Sequence, residues 1–192
     1  MKKWLPEING KDLKKAKNAW DFLYVILGKY FEMMEKDENI MQSFNDSQIA
    51  LIAYRHFDAQ VCNGGFIQFI QNGYGGIISD NTFSETIKSW GAEGTAVIAE
   101  EAEKIYAKHK ETLDKLAKLQ MEFSELASEI YHKDKKAYEQ LEAKHFEETS
   151  KFYEDIKDFE PLEDRYYKIN GQEVEKVKKY VEKNMSEFGI MI

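Results

Sequence analysis

Two Glu-x-x-His pairs, Glu129 with His132 and Glu142 with His145, have the spacing of metal-binding side chains. Residues three apart lie on one helix face, so each pair presents a carboxylate and an imidazole together. Helical di-iron proteins add a further glutamate from each of two other helices. No such glutamates can be identified here, and on one continuous helix the two histidines would lie about 20 Å apart. The sequence therefore predicts no metal and no cofactor.

Other candidates for catalysis are weaker. The chain has many serines but no Gly-x-Ser-x-Gly element, and His56 and Asp58 are neighbours only in sequence. The turn Gly73–Gly76 can present backbone N–H groups to an anion, yet it lacks the lysine and hydroxyl of a P-loop. We therefore expect no catalytic residue and a non-enzymatic protein.

The stretch from Asn63 to Asn72 combines paired glycines, two phenylalanines and several side-chain amides. Asn63 is interpreted as a helix cap, because its side chain can accept backbone N–H bonds. Gly64 and Gly65 are interpreted as a point where two helices meet too closely for a side chain. This stretch is predicted to be a structural corner.

The second half of the same stretch offers an alternative function. Three apolar residues recur there at helical spacing on one face: Phe66, Phe69 and Ile70. The amides of Gln68 and Asn72 lie beside that face, where they can donate and accept hydrogen bonds. A small-molecule-binding protein or an enzyme would have its pocket near residues 63–76, lined by Gln68, Asn72 and Tyr74.

This stretch and a segment near the C-terminus form a recognisable pattern. The first element comprises Val61, Asn63-Gly64-Gly65-Phe66, Gln68-Phe69, Asn72 and Gly75, and the second comprises Leu162-Glu163-Asp164-Arg165-Tyr166-Tyr167, Val174 to Tyr180, and Phe188-Gly189. Together they resemble the signature of the bacterial DNA-mimic protein family, otherwise carried mainly as a domain of unknown function. Family members usually have aspartate where Glu163 stands and phenylalanine where Ile70 stands. The likeness covers roughly residues 44–106 and 162–189, with an extended helical segment between them.

The resemblance implies a protein that binds another protein. In a DNA mimic, carboxylates compete with phosphates for the Lys and Arg side chains of a basic, DNA-binding partner such as a transcription factor. Direct nucleic-acid binding is disfavoured by the acidic balance of the chain, because phosphates require clusters of Lys and Arg.

The net charge of −8 is confined to one segment. Residues 100–164 hold 19 acidic and 11 basic residues, whereas the remainder holds 16 of each. The excess is sharpest from Glu139 to Asp164, where 10 acidic residues accompany 3 lysines. The carboxylates expected to face a partner are Glu147, Glu148, Glu154, Asp155, Asp158 and Glu160. The competing interpretation is a solvated helix face that aids solubility.

The density of this charge limits how well one copy can imitate DNA. If Glu139 to Asp164 were one helix, its net charge of −7 would extend along about 39 Å, or one charge per ~5–6 Å. Duplex DNA carries one charge per ~1.7 Å. Convincing mimicry would therefore require a homodimer that aligns two segments, or carboxylates from a neighbouring helix.

Apolar periodicity predicts an all-α helical bundle, a single domain over residues 1–192, without strands. One long helix is expected from Leu13 to Met34, and a second from about Asn45 to Asn63. Pro161 is expected to mark a boundary, and Asn170-Gly171 to precede the last helix.

Between Gly94 and Pro161 the chain has neither glycine nor proline, and its apolar residues keep a three-four rhythm. This pattern favours an extended antiparallel helical hairpin over about residues 110–157, turning near His132 to Lys136. The turn lacks a strong helix breaker, so one long helix is the open alternative.

The remaining features predict a cytoplasmic protein without membrane contact. No apolar run approaches the ~20 residues needed to cross a bilayer. The basic start of the chain is not followed by the apolar region of a signal peptide. The single cysteine, Cys62, forbids an internal disulfide and is expected to be a buried thiol.

Overall fold

The computed structural model describes residues 3–79 and 81–192, apart from the side chains of Glu154 and Asp155. Helices dominate the chain, which confirms the all-α fold class. In chain order they are α1 (Gly10–Lys15), α2 (Ala19–Lys36), α3 (Asp46–Gln71), α4 (Asn81–Ser89), α5 (Glu93–Ile130), α6 (Lys135–Asp155), α7 (Glu160–Lys183) and α8 (Met185–Phe188). Among the described residues, no helix is both long and apolar enough to span a bilayer.

The two ends of the chain meet in a small parallel sheet, so the expectation of no strand was wrong. Strand β1 (Glu7–Ile8) pairs with strand β2 (Ile190–Met191). The Ile190 N–H donates to the Pro6 carbonyl at 2.8 Å. Strands of two residues are too short to show an alternating pattern, and the partners lie at opposite ends of the sequence.

The expectation of one helix from Leu13 to Met34 was also wrong. Helix α1 ends at Lys15 and α2 begins at Ala19. The break occurs because Asn18 caps α2, its side chain accepting the Asp21 N–H at 2.8 Å. Helix α2 then contributes fully buried side chains to the core: Leu23, Ile26, Leu27 and Tyr30.

Helix α7 runs without interruption through Asn170-Gly171, so the boundary predicted there was wrong. A glycine in a helix interior costs only about 1 kcal/mol relative to alanine, which the packing of a buried face outweighs. That face comprises Leu162, Tyr166, Glu173, Val174, Val177 and Val181. The boundary at Pro161 is confirmed, because Pro161 lies in the first turn of α7, where its missing N–H breaks no helical bond.

Helices α5 and α6 form an antiparallel hairpin, which excludes the single long helix. The chain reverses between the end of α5 and the start of α6, and Asp134 caps α6 by accepting the Ala137 N–H at 3.0 Å. Across the seam, the rings of Phe123 and His145 stack with centroids 4.4 Å apart. Tyr131 meets Tyr138 closer to the turn, with centroids 5.0 Å apart.

The outer hairpin, residues 117–148, protrudes from the rest of the bundle. None of its residues is buried, whereas Leu113 and Leu116 just before it and Thr149 just after it are. Two helices alone cannot enclose their own apolar residues. Large side chains in this region are consequently exposed: Met121, Leu126, Tyr131 and Phe146.

Candidate functional site

Helix α3 bends sharply at the predicted glycine pair. Gly64 and Gly65 have non-helical backbone angles, and Gly65 adopts φ +73°, the left-handed region that favours glycine. After the bend, the Asn72 side-chain N–H donates to Gln60 Oε1 at 2.7 Å. Twelve residues of straight helix would separate these residues by about 18 Å, so the chain must fold back at the glycines. We call residues 60–72 the corner.

The corner is capped by a carboxylate from α7. The first N–H groups after the bend have no helical partners, because a helix begins there. Glu163 Oε1 accepts one of them, the Phe66 N–H, at 2.7 Å. A Cβ on Gly65 would overlap this carboxylate, so glycine is required for space as well as for φ. Burial raises the pKa of Glu163, and the Phe66 bond opposes that rise. The cap is thus Glu163 and not the predicted Asn63, whose side chain is exposed.

Gly64 serves a different purpose from Gly65. The side chain of Gln68 folds back over Gly64, and a Cβ at that position would overlap its amide. Folded in this way, Gln68 Nε2 donates to Gln60 Oε1 at 3.1 Å. Gln60 Oε1 therefore accepts hydrogen bonds from two side-chain amides of the corner, those of Gln68 and Asn72.

The apolar face predicted for the corner is present. Phe66 and Phe69 are fully buried, and Ile70 is nearly so. Both phenylalanine rings pack edge-on against Phe57, with centroids 5.7 and 5.6 Å away. Tyr166 of α7 meets the same Phe57 ring at 5.3 Å. Aromatic packing thus fixes the corner against both its own helix and α7.

The two separated elements of the sequence pattern contact each other directly. The Tyr166 hydroxyl donates to Asp58 Oδ1 at 2.7 Å, and the Tyr167 hydroxyl donates to the Val61 carbonyl at 3.0 Å. Burial raises the pKa of Asp58, while the Tyr166 bond works in the opposite direction. The contact between the two elements was not predicted from the sequence, because no local signal links residues about one hundred positions apart.

Helix α7 also caps α5. Glu173 is buried, and its Oε2 accepts the Thr95 N–H at 2.9 Å while its Oε1 accepts from Lys176 at 2.7 Å. Gly94 leaves the room for this approach, since a Cβ there would lie 3.1 Å from the Glu173 carboxylate. One helix therefore supplies two carboxylate caps to two other helices.

Cys62 and His56 do not form a reactive group with Asp58. Cys62 is exposed rather than buried as expected, but removal of water around the thiol and the charge of Asp58 raise the Cys62 pKa to about 11. A thiol with so high a pKa stays protonated and weakly nucleophilic at neutral pH. The His56 ring instead stacks on Tyr74, with centroids 4.6 Å apart.

A polar cleft opens beside the corner, at the base of the hairpin. Its volume is about 800 Å³, and it lies between the corner, α5, the end of α6 and the start of α7. Its polar walls include Gln68, Gln71, Asn72, Gln120, Glu160 and Glu163. The pocket predicted near residues 63–76 and this cleft share two lining residues, Gln68 and Asn72. Tyr74 is not part of it, since its ring packs on His56 and Phe69.

The six carboxylates expected to face a partner occupy three different places. Glu147 and Glu148 lie on α6, where neighbouring residues point about 100° apart. Asp158 lies in the short turn Lys157–Phe159, and Glu160 begins α7 at the cleft. Glu154 and Asp155 end α6, and their side chains lie outside the described part of the chain. Because the chain bends between α6 and α7, the acidic segment is not the single straight helix assumed for its charge density.

These carboxylates also differ in their neighbours. Asp158 Oδ2 accepts from Lys108 Nζ at 2.6 Å and lies 3.0 Å from His109 Nε2. Both hydrogen bonds lower the pKa of Asp158, and the bond from Lys108 has the larger effect. Glu148 lies 3.7 Å from Lys144. Glu147 and Glu160 have no basic partner among the described contacts, so their charge is available to another molecule.

The two Glu-x-x-His pairs are separated by the hairpin turn. His145 is in the seam, 3.2 Å from Gln120 Oε1, whereas His132 is exposed against Tyr131. Within the described residues, no three His, Cys, Asp or Glu side chains are close enough to hold a metal ion. The expected absence of a stoichiometric metal stays a prediction, which elemental analysis of the purified protein would check.

Comparison with known proteins supplies the context for this geometry. The sequence profile of the family described as DMP19-like protein matches residues 42–184, a range that includes the corner, the hairpin and all of α7. The chain is also 29% identical over 96 residues to the DNA mimic protein DMP19 of Neisseria meningitidis serogroup B (strain ATCC BAA-335 / MC58). That alignment covers 50% of this chain and 58% of the relative, so the chain spans little more than half the length of the relative. The resemblance found in the sequence is confirmed: the chain belongs to the family of DMP19-like proteins.

Proposed function

We propose that this protein is a non-enzymatic DNA mimic, whose acidic helical surface binds the basic surface of a DNA-binding protein. The observation that carries the proposal is the confinement of charge, since residues 100–164 hold the whole net charge of −8. These residues form most of α5, all of α6 and the start of α7. Family membership supports the same function, because the matched relative is a DNA mimic protein.

The partner-facing carboxylates are proposed to be Glu147, Glu148, Glu154, Asp155, Asp158 and Glu160. Exposed charges of one sign increase the rate of association by attracting the partner over a distance, and apolar contacts then slow its dissociation. Exposed apolar side chains of the outer hairpin, such as Phe146 at 72% exposure, are available for the second step. A transcription factor in the same cytoplasm is the first class of partner to test.

Charge density favours the participation of more than one acidic element. Glu139 to Asp164 carries a net charge of −7 but bends between α6 and α7. Several hairpin carboxylates are moreover offset by a lysine one turn away, as in Lys118 with Glu122 and Lys135 with Glu139. A homodimer would add a second acidic segment, and sedimentation equilibrium would detect it.

The test begins with capture of partners from the native cell at low and high salt. For a captured DNA-binding protein, association should slow as salt shortens the Debye length from about 10 Å at 0.1 M to about 3 Å at 1 M. A labelled DNA duplex should be displaced from that partner by this protein. Replacing all six carboxylates with Gln or Asn should slow association and leave the fold intact.

A matched pair of variants sharpens the test. Glu147→Gln removes a carboxylate that has no basic partner among the described residues, whereas Asp158→Asn removes one that Lys108 and His109 already offset. The first should slow association more than the second. An association rate indifferent to salt and to all six substitutions would leave the acidic segment as a solubility feature.

A further inference from the structure

The outer hairpin carries apolar side chains that its own two helices leave uncovered. Phe146 is 72% exposed and Tyr131 is 57% exposed. Among the described residues, no apolar side chain of the outer hairpin packs against the main core. A pair of helices buries only one stripe of each helix against the other. The remaining apolar area can therefore be covered only by another molecule.

The two exposed rings lie on the same side of the outer hairpin, the side that faces the cleft. Phe146 precedes Tyr153 by seven residues, or two helical turns, and Tyr153 lines the cleft. Tyr131 follows Gln120, on the α5 wall of the cleft, by eleven residues, or three turns. This side consequently has one exposed ring near the base of the outer hairpin and another near its tip.

Small side chains lie between the two rings. Ser124 and Ser128 follow Gln120 by four and eight residues, so they lie on the same side of α5. A second pair of helices can approach closely over serine, whereas leucine or lysine would hold it away. When two such surfaces meet in opposite directions, Tyr131 of each copy reaches Phe146 of the other.

Charge also changes sign along the outer hairpin. Its turn, residues 131–136, holds three lysines and one aspartate, and Lys133 and Lys136 have no carboxylate partner among the described contacts. At the base, Glu147 and Glu160 have no basic partner among the described contacts. The α5 carboxylates near the base are already paired with lysines one helical turn away. The tip is therefore basic where the base is acidic, which suits an antiparallel pair.

The size of this surface suits a reversible dimer. Helix α5 extends about 20 Å from Ala117 to Ile130, and two helices side by side are about 20 Å wide. One side of the outer hairpin is thus a face of about 400 Å² before the relief of the side chains is counted. With that relief, and with each tip against the other base, two copies bury about 1,000 Å². This area is at the lower end for specific interfaces, where association is weak and reversible.

We infer that the outer hairpin binds the outer hairpin of a second copy of this chain, side by side and antiparallel. A two-fold axis then places the basic tip of each copy on the acidic base of the other, and Tyr131 of each copy against Phe146 of the other. A dimer that only aligned two acidic segments would make neither contact. The inference does not rest on DNA mimicry, because self-association is measured on the isolated protein.

Sedimentation equilibrium of the full chain, from dilute to concentrated solution, is the first test. The mass should rise from that of one chain to that of two and stop there, because a two-fold contact is closed. Phe146→Ser should weaken association about tenfold or more, since it removes an aromatic contact from both ends of the interface. Leu126→Ser is the matched control, because Leu126 is 51% exposed but lies about 120° around α5 from Gln120. A chain that stays monomeric, or equal association in the two variants, would overturn the inference.

Charge reversal tests the antiparallel direction. Lys133→Glu with Lys136→Glu reverses the tip, and Glu147→Lys with Glu160→Lys reverses the base. Each double variant alone should associate more weakly than the unmodified chain, because like charges then meet. An equimolar mixture of the two should associate again, since each reversed end meets an opposite charge. A mixture that associates no better than its components would contradict the antiparallel arrangement.

Single cysteines test the register. Tyr131→Cys and Phe146→Cys are made separately in a chain that also carries Cys62→Ser, because Cys62 is exposed. Under mild oxidation, a mixture of the two should form a disulfide-linked dimer faster than either variant alone. Faster linkage of either variant with itself would overturn the proposed register. Failure of self-association in all three experiments would leave the proposed DNA mimicry untouched.

Discussion

Carboxylates play different parts in the corner and in the outer hairpin. At the corner, Glu163 and Asp58 are withdrawn from water and accept bonds from a backbone N–H and a tyrosine hydroxyl. Their pKa values are raised, chiefly by burial. In the outer hairpin, exposed carboxylates meet lysines one helical turn away, as in Lys118 with Glu122. The same pairing occurs just before it on α5, between Lys115 and Glu111. The bond from Lys115 lowers the pKa of Glu111.

The difference separates charge that builds the fold from charge that is available for binding. A buried carboxylate that loses its donor keeps the full cost of desolvation, about 1–3 kcal/mol. An exposed ion pair contributes roughly 0.2–1 kcal/mol and is screened by salt. Substitutions should therefore destabilise the corner strongly and the outer hairpin little, even where the side chains are chemically alike.

Gly65→Ala should have the largest effect on stability. Alanine disfavours the φ of +73° by about 1–2 kcal/mol, and its Cβ overlaps Glu163, so we expect a total loss of about 2–4 kcal/mol. Gly171→Ala is the matched control, because Gly171 lies inside α7 with open space around its Cα. The control should gain about 0.5–1 kcal/mol from helix propensity. Urea unfolding would measure both, and an unchanged midpoint for Gly65→Ala would show that the corner tolerates a side chain.

Tyr166→Phe should have the next largest effect, about 1–3 kcal/mol, because it leaves Asp58 buried without its hydroxyl donor. The effect should depend on pH. Burial holds the folded-state pKa of Asp58 above its ordinary value of 3.8, and the variant loses a bond that lowers it. Since the folded state then favours the protonated form, the contribution of Asp58 is greatest below the ordinary pKa and declines as pH rises through the folded pKa.

The loss caused by Tyr166→Phe should therefore be smaller at about pH 4 than at about pH 7. Tyr167→Phe is the control, since it removes only the bond to the Val61 carbonyl and leaves no carboxylate unpaired. Its loss should be about 0.5–1.5 kcal/mol at both pH values. Equal pH dependence in the two variants would show that Asp58 does not need Tyr166.

The double variant Glu147→Gln, Glu148→Gln should have the smallest effect on stability, within about 0.5 kcal/mol. Both residues lie on the outer hairpin, and Glu148 has only a distant pairing with Lys144 at 3.7 Å. Thermal unfolding at low and high salt would measure the change. A loss comparable to that of Tyr166→Phe would mean that the outer hairpin is tied to the core more tightly than its exposure indicates.

The sequence predicted those features that depend on local patterns. The apolar rhythm gave the helices and favoured the hairpin, and the paired glycines gave the position of the bend in α3. It failed where a distant segment decides the outcome. Asn63 has the chemistry of a cap, yet Glu163 performs that function from a segment 97 residues from the N–H that it accepts. Asn170-Gly171 has the composition of a break, yet the packing of α7 overrides it.

The candidate site was predictable only in part for the same reason. Gln68 and Asn72 were named as pocket residues from their spacing, but both side-chain amides donate to Gln60, a contact that exists only because the chain folds back at the glycines. Glu160 was expected to face a partner and also lines the cleft, which depends on where α7 begins. Helical spacing cannot show which walls a bend brings together.

The ribosome makes the two capping carboxylates of α7, Glu163 and Glu173, long after the N–H groups that they accept. At about 5–20 residues per second, the Phe66 N–H waits roughly 5–20 s before Glu163 has been made. During that time Phe57, Phe66 and Phe69 lack the tyrosine that covers them in the finished protein. The hairpin can meanwhile form from neighbouring residues alone. A nascent chain that stalls before α7 is made therefore exposes its aromatic cluster while its hairpin is already folded. Such a chain is a natural substrate for chaperones.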